Sequence, residues 1–152
     1  GEIIAQDIYE KRVQLIDHLM LKTGVSIVKT KVQDSSVLNE EYINKFDRVL
    51  LDAPCSGLGD LRHKPEIRFH LKPDNIDELT SLQKKLLEVN GQYVKEGGIL
   101  VYSTCTLNKK ENEKQIQTFL KNHSEYELIE EKTLFPYIEN SDGFYYAKMR
   151  RK

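Results

Sequence analysis

The sequence contains no tryptophan and only two cysteines, Cys55 and Cys105, among its 152 residues. Two cysteines are too few for a disulfide scaffold, and no histidines lie near enough in the sequence to complete a structural zinc site. We therefore expect no metal site. A cysteine-poor chain is typical of a reducing compartment, so the composition favours the cytoplasm.

Long apolar runs and an excess of one charge are also lacking. No apolar stretch approaches the ~18 residues needed to cross a bilayer, which argues against a membrane protein. Lys and Arg number 23 against 24 Asp and Glu, so the formal net charge is -1. This balance argues against a wholly basic nucleic-acid-binding domain and leaves room for a local basic patch. The length corresponds to one ordinary domain.

What the sequence does contain is an alternation of strand-like and helical patterns. Short β-branched or apolar runs predict strands at 2–6, 25–31, 46–51 and 99–103, with apolar residues at helical spacing between them. The alternation predicts an α/β fold with a parallel sheet covered by helices. The run at 46–51 ends in the continuous apolar residues typical of a strand buried on both faces. Two final strands, at 126–132 and 143–149, are predicted to be antiparallel neighbours.

Capping residues predict where two of the helices begin. Asp74 or Asn75 is predicted to cap a long helix that ends at Gly97 and Gly98. Asn108 is followed three residues later by Glu111, a spacing that resembles a capping box. We expect that pair to open a helix that ends near residue 122.

The candidate functional groups all follow predicted strands: Asp7, Asp34, the stretch 52–59 and the stretch 103–105. Ligands of open α/β sheets bind outside the carboxyl ends of the strands, so both cysteines should face the same crevice. A cysteine is more commonly a small buried hydrophobic residue than a reactive thiol. The strand-end position makes the buried and the reactive interpretation about equally probable for both cysteines. The Asp7 carboxylate can accept hydrogen bonds from a ribose diol, or it can belong to the N-terminal turn of the next helix. The Asp34 carboxylate has the alternative of forming an Asx turn.

Two motifs carry a resemblance to a known family. Residues 52–59 are Asp-Ala-Pro-Cys-Ser-Gly-Leu-Gly and residues 102–106 are Tyr-Ser-Thr-Cys-Thr. Together they resemble the RNA cytosine-C5 methyltransferases, above all the RsmB/Sun-type bacterial 16S ribosomal RNA enzymes. The residues at 62–67, the run 108–113 and the tail 141–145 resemble the same family. The two cysteine motifs, in this order and at strand ends, make the resemblance highly specific.

The resemblance implies a fold, a cofactor and a substrate. The fold is a Rossmann-like S-adenosylmethionine-dependent methyltransferase sheet, mostly parallel, with an antiparallel C-terminal strand pair. The cofactor is S-adenosylmethionine and the partner is 16S ribosomal RNA, with no metal, no membrane and no particular oligomer implied. The same chemistry on transfer RNA is one alternative. A catalytically inactive RNA-binding module on a methyltransferase frame is the other.

One part of the family pattern is lacking, namely the first strand and the glycine-rich loop that follows it. We therefore expect residues 1–152 to be the C-terminal part of one catalytic domain, incomplete at its N-terminus. The missing strand would leave two unpaired sheet edges. On its own this stretch should bind the cofactor poorly and should not catalyse methylation.

The resemblance also implies roles at the cysteine motifs. Cys105 is implied to be the nucleophile that adds to carbon 6 of cytosine, and Cys55 is implied to assist product release. The residues alone do not choose between them, because in the DNA cytosine methyltransferases the nucleophile is the cysteine of the Pro-Cys motif, here Cys55. Asp52 is implied to contact the exocyclic amine or N3 of the base, with capping of the following turn as its alternative.

The implied cofactor site consists of Asp7 at the ribose hydroxyls, Asp34 at the adenine amino group, and Asp52 with Pro54 at the methyl-transfer pocket. A basic stretch at 61–73 follows the first motif and includes Arg62, Lys64, Arg68 and His70. We predict that Arg62, Lys64 and Arg68 contact RNA phosphates. A solvated charged loop is the alternative.

Overall fold

The computed structural model describes residues 1–152, except for the side chain of His70. His70 belongs to the basic stretch that we predict to contact RNA, and its side chain lies outside the described part of the structure. The chain divides into two compact units, Gly1–Leu38 and Asn39–Lys152. Across the described residues, no helix has both the length and the apolar character that crossing a membrane requires.

The first unit contains one strand-helix-strand element. Strand β1 (Ile3–Asp7) is followed by helix α1 (Glu10–Thr23) and strand β2 (Val28–Val32). The helix ends at Gly24, whose φ of 70° is left-handed and suits glycine. The two strands pair in parallel from Ile3 opposite Val28 to Asp7 opposite Val32. Their carboxyl ends therefore lie side by side, as the alternating pattern predicts.

The second unit contains a four-stranded sheet in the order β3-β4-β6-β5. Strand β3 is parallel to β4, and β6 is antiparallel to both β4 and β5. This confirms the α/β prediction and the antiparallel C-terminal strand pair. The elements, after a short 3-10 turn at Glu40–Tyr42, are β3 (Phe46–Asp52), α2 (Ile67–His70), α3 (Pro73–Gly91), β4 (Val94–Thr104), α4 (Glu113–Asn122), β5 (Tyr126–Leu134), α5 (Pro136–Glu139) and β6 (Phe144–Arg151).

The core of the second unit joins the sheet to helices α3 and α4. Strand β4 contributes Leu100 and Tyr102, which are completely buried opposite Met149 and Ala147 of β6. The remaining core residues include Leu51, Ala53, Leu86, Leu87, Val94, Ile116, Phe119, Tyr126 and Tyr145. This apolar layer holds β3 and β4 in a fixed register, which positions the loops that follow them.

Two expectations about the sequence patterns were wrong. Strand β3 is not buried on both faces, because Leu51 is 7% exposed whereas Leu50 is 71% exposed. Successive side chains of a strand point to opposite faces, and the core cluster gathers on the face of Leu51. Helix α3 ends at Gly91 and not at Gly97 and Gly98, which lie within β4. A Cβ at Gly91 would stand 2.9 Å from the Phe119 ring, so close packing requires glycine there.

The beginnings of α3 and α4 also differ from the prediction. Helix α3 begins at Pro73, and the backbone N–H of Lys72 donates to the side-chain oxygen of Asn75 at 3.0 Å. Proline suits the first helical position because its missing N–H would have no partner within the helix. Helix α4 begins at Glu113, two residues after the glutamate that we expected to cap it.

Candidate active site

The two cysteines lie next to each other. Cys55 follows the end of β3 by three residues, and Cys105 directly follows β4. Because these strands are parallel neighbours, their carboxyl ends bring the thiols together, and the two Sγ atoms are 3.3 Å apart. The structure thus brings the two thiols together at neighbouring strand ends, as that expectation requires.

The two thiols have opposite electrostatic environments. Cys105 is exposed, whereas Cys55 is partly buried. The hydrogen bond from the Cys55 thiol lowers the pKa of Cys105 to about 7, although burial acts in the opposite direction. The same hydrogen bond, followed by burial, raises the pKa of Cys55 far above its ordinary value. These opposite directions make Cys105 the thiol that ionises more readily, with the Cys55 S–H as its hydrogen-bond donor.

Asp52 ends β3 beside this pair. Its Oδ1 accepts a hydrogen bond from the Ser103 hydroxyl at 2.9 Å, across the parallel β3-β4 pair. The backbone N–H of Ala53 donates to the carbonyl of Ser103, also at 2.9 Å. The Asp52 side chain remains exposed at the strand end. It can therefore present a carboxylate oxygen to a ligand without losing its contact with Ser103.

The loop after β3 is held by close backbone contacts. The N–H of Gly59 donates to the carbonyl of Cys105, and the N–H of Gly143 donates to the carbonyl of Gly59, both at 2.9 Å. A Cβ on Gly59 would stand 2.0 Å from the Gly143 oxygen and 2.8 Å from the Cys105 oxygen. The segment before β6 thus packs directly against both cysteine loops.

A completely buried carboxylate lies beneath the same loops. Glu111 accepts hydrogen bonds from the Ser56 backbone N–H at 2.8 Å and from the Ser56 hydroxyl at 2.6 Å. It also accepts from the side-chain amides of Gln83 and Asn108, at 3.2 and 3.1 Å. The predicted capping role of Glu111 is wrong, because its side chain points into the core and α4 begins two residues later. The signal available in the sequence was its place in the run 108–113.

Asn112, the next residue, holds the chain on either side of Cys105. Its Oδ1 accepts from the Thr104 hydroxyl at 2.6 Å, and its Nδ2 donates to the carbonyl of Thr106 at 2.8 Å. Asn112 is also buried. Sequence reasoning did not single out this residue, since a polar side chain in a turn is ordinarily solvated.

Asp7 and Asp34 lie at the carboxyl ends of β1 and β2 in the first unit. Asp7 Oδ1 accepts from the backbone N–H of Tyr9 at 2.8 Å, and its Oδ2 lies 3.5 Å from the Arg12 guanidinium. Asp34 Oδ1 accepts from the N–H of Ser36 at 2.8 Å, which forms an Asx turn. The alternative given for Asp34 is thus present, whereas Asp7 lies before the N-cap residue Tyr9 and outside the first turn of α1.

The predicted RNA-contacting residues Arg62, Lys64 and Arg68 are all exposed. The Lys64 ammonium lies 2.6 Å from Asp60, and this carboxylate raises the pKa of Lys64. The Arg68 guanidinium lies over the ring of Phe69, 4.8 Å from its centre. Phe69 itself is 72% exposed, an aromatic surface residue that sequence reasoning missed.

Comparison with known proteins gives concordant matches. The family model described as 16S rRNA methyltransferase RsmB/F matches residues 1–150. Probable ribosomal RNA small subunit methyltransferase B of Bacillus subtilis is 34% identical over the whole chain, which spans 38% of that relative. The chain of the solved structure PH0851 is 35% identical with a TM-score of 0.95, over 99% of this chain and 37% of that one.

A second solved structure is NSun6 from Pyrococcus horikoshii with SFG. It is 29% identical, with a TM-score of 0.88, over 99% of this chain and 41% of that one. The matched structures thus share the methyltransferase-type α/β fold. In each of these comparisons the chain spans about two fifths of the relative's length.

Proposed function

Since the chain belongs to the RsmB/F family of 16S ribosomal RNA methyltransferases, we propose that it methylates carbon 5 of a cytosine in 16S ribosomal RNA, using S-adenosylmethionine. The observation that carries this proposal is the thiol pair, with Cys55 and Cys105 3.3 Å apart at neighbouring strand ends. A thiolate and a neutral thiol in contact supply both a nucleophile and a hydrogen-bond donor.

The chemistry requires a thiolate because carbon 5 of cytosine is a weak nucleophile. We infer that the Cys105 sulfur forms a bond to carbon 6, which turns the ring into an enamine whose carbon 5 can attack an electrophile. S-adenosylmethionine, when bound, supplies the methyl group. Methyl transfer to carbon 5 leaves S-adenosylhomocysteine. A base then takes the carbon 5 proton, and the electrons of that C–H bond re-form the double bond and expel Cys105 as a thiolate, which releases the methylated base. The lowered pKa of Cys105, about 7, supports it as the attacking residue.

Cys55 and Asp52 are proposed to support this sequence. The Cys55 S–H donates to the Cys105 sulfur in the free protein, so it can stabilise the same sulfur when it leaves carbon 6. Asp52 is exposed at the end of β3 and is fixed by Ser103. Its second oxygen can accept a hydrogen bond from the exocyclic amine, or share a proton with N3 as negative charge develops on the ring.

Asp7 and Asp34 of the first unit are proposed to contact the cofactor, and Asp52 and Pro54 of the second unit are proposed separately to line the methyl-transfer pocket. Carboxylate oxygens at strand ends are suitable acceptors for ribose hydroxyls and for an adenine amino group, so Asp7 and Asp34 fit the nucleoside. Pro54 is exposed beside Cys55, and its carbonyl is held by Gln83 at 2.9 Å. The relative NSun6 was solved with SFG, an S-adenosylmethionine analogue, which supports S-adenosylmethionine as the cofactor.

The RNA is proposed to contact the exposed stretch after the first motif. Arg62, Lys64 and Arg68 suit phosphate oxygens, and the exposed ring of Phe69 suits stacking on an unpaired base. A target cytosine must leave its stack to reach the thiols. The cytoplasm remains the predicted compartment.

The proposal can be tested by trapping the covalent adduct. The full-length protein is incubated with S-adenosylmethionine and 16S ribosomal RNA that carries 5-fluorocytosine, whose fluorine prevents the final deprotonation. We expect a denaturation-resistant protein–RNA adduct with wild type and with Cys55→Ala, and none with Cys105→Ala. The adduct should depend on S-adenosylmethionine and is measured by its mobility on a denaturing gel.

Other outcomes would change particular parts of the proposal. An adduct with Cys105→Ala but not with Cys55→Ala would exchange the roles of the two cysteines. An adduct with transfer RNA in place of ribosomal RNA would correct the substrate. RNA binding without an adduct in any variant would favour an inactive RNA-binding module.

A further inference from the structure

The buried carboxylate of Glu111 is shared by the loops of both cysteines. On one side it accepts from the backbone and hydroxyl of Ser56, the residue directly after Cys55, at 2.8 and 2.6 Å. On the other side the Thr106 hydroxyl, directly after Cys105, lies 3.4 Å from Oε2 and 2.8 Å from the Ser56 hydroxyl. A single side chain therefore links the two positions that follow the two thiols.

The residue before Cys55 is tied to the same network. The Gln83 amide donates both to the carbonyl of Pro54, at 2.9 Å, and to Glu111, at 3.2 Å. Cys55 is thus fixed on both sides by groups that meet at Glu111. Gln83, Thr106 and Glu111 are completely buried, so solvent does not replace these contacts if they are lost.

The groups around Glu111 suit a carboxylate, which accepts hydrogen bonds at both oxygens. The partners are backbone and amide N–H groups and hydroxyls, all of which can donate a hydrogen bond. A carboxylate accepts at both oxygens, whereas a glutamine would place its NH₂ group either against the N–H groups of Ser56 and Gln83 or against that of Asn108, none of which can accept. Glu111→Gln therefore keeps the shape of the side chain and removes the match.

We propose that Glu111 is a positioning residue that sets the separation of the Cys55 and Cys105 thiols and thereby the reactivity of Cys105. The effect of Glu111 on methylation rests on the function proposed above, whereas its effect on the separation and reactivity of the two thiols does not. The 3.3 Å contact lets Cys55 donate a hydrogen bond to the Cys105 sulfur, and a shift of either loop would weaken that bond. Glu111 itself would not touch the RNA or the cofactor.

The test measures Cys105 alkylation by iodoacetamide as a function of pH, in the full-length protein, with the modified peptide quantified by mass spectrometry. In wild type we expect a midpoint at about pH 7, and in Glu111→Gln a midpoint displaced towards 9.0. If the pKa of Cys105 moves from about 7 to 9.0, the thiolate fraction at pH 7 falls about fiftyfold. The more basic thiolate is also the stronger nucleophile, so the rate of alkylation at pH 7 should fall only roughly fivefold. Glu113→Gln, two residues away, is the matched control and should keep the wild-type profile.

Folding is checked for each variant by its melting temperature. If Glu111→Gln does not fold, Ser56→Ala carries the test, since it removes the 2.6 Å hydroxyl contact but keeps the backbone one. It should displace the midpoint in the same direction by a smaller amount. A folded Glu111→Gln or Ser56→Ala protein with the wild-type profile would overturn the proposal.

The alkylation test does not depend on methyltransferase activity. A displaced profile together with no RNA adduct in wild type would support the positioning role and reject the proposed function. An adduct in wild type with an unchanged profile in Glu111→Gln would support the function and overturn the positioning role.

Discussion

At the scale of single residues, Gly59 shows how little space separates the segments of the site. Its backbone bonds to Cys105 on one side and to Gly143 on the other. The place that a Cβ would occupy already contains the Gly143 carbonyl. The need for glycine here comes from contacts with residues far away in sequence, and it has nothing to do with a left-handed backbone.

Replacing Gly59 by alanine should therefore displace the loops and not only strain one residue. We expect Gly59→Ala to lower the free energy of unfolding by about 2 kcal/mol or more, a typical cost of overpacking, and to reduce adduct formation at Cys105. Urea denaturation and the fluorocytosine assay measure the two effects.

Gly24→Ala is the matched control for this substitution. Gly24 has a left-handed φ of 70°, but no atom lies within 4 Å of its Cβ position. The control should cost about 1 kcal/mol from backbone strain alone and leave Cys105 unaffected. Equal losses of stability in the two variants, with the adduct intact in both, would contradict the steric argument.

At the scale of elements, His123 connects helix α3 with the turn between α4 and β5. Its Nε2 lies 2.6 Å from Glu88 on α3, and its Nδ1 lies 3.0 Å from Glu125 just before β5. The ring stacks on Phe119 of the core at a centroid distance of 4.4 Å. Burial by itself would lower the pKa of His123, but hydrogen bonds and charge from the two glutamates raise it overall.

This contact should make stability depend on pH near neutrality. Because the pKa of His123 is higher in the folded than in the unfolded protein, its contribution is fully present below pH 6.5 and is lost as pH rises through the folded pKa. Wild type should therefore lose stability as the pH rises from 6.5 through the raised folded pKa, and His123→Gln should lose less. Urea midpoints across this range measure the effect. His18→Gln, on the exposed side of α1, should keep the wild-type slope, and an unchanged slope in His123→Gln would refute the assignment.

At the scale of the whole molecule, the two compact units differ in how much apolar surface they bury. The core cluster lies entirely in the second unit, between Leu51 and Met149. In the first unit Val13 is the buried hydrophobic side chain among the described residues, while Leu15 and Leu21 are 69% and 82% exposed. Local stability follows buried apolar contact, so the units should differ in their opening free energies.

Native-state hydrogen exchange should show this difference directly. Backbone amides of β1 and β2 are expected to exchange at least roughly tenfold faster than those of β4 and β6 at the same pH and temperature. The strands are compared within one sample, so each unit serves as the reference for the other. Equal protection in all four strands would contradict the prediction.

Much of the fold could be read from local patterns. Strand β1 and the last two strands agree with the prediction to within one or two residues at their boundaries, because runs of strand-like residues are signals within a few residues of sequence. Helix α1 lies between β1 and β2, where the helical spacing of apolar residues predicts a helix. The exposed face of β3 and the end of α3 could not be predicted. Both depend on which side the helices cover and on the packing of Gly91 against Phe119.

The sequence by itself determined the strand-helix alternation, the two cysteine motifs, the family and the strand-end location of the candidate aspartates and cysteines. Only the tertiary structure decided that the two thiols touch, that Cys105 has the lower pKa, and that Glu111 lies buried between their loops and does not cap a helix. The physical reason is that hydrogen bonds and desolvation act over a few ångströms in space. The residues concerned are about 50 positions apart in the chain. Strand-end positions predicted that the two cysteines lie near each other, but no local pattern reports which atoms touch.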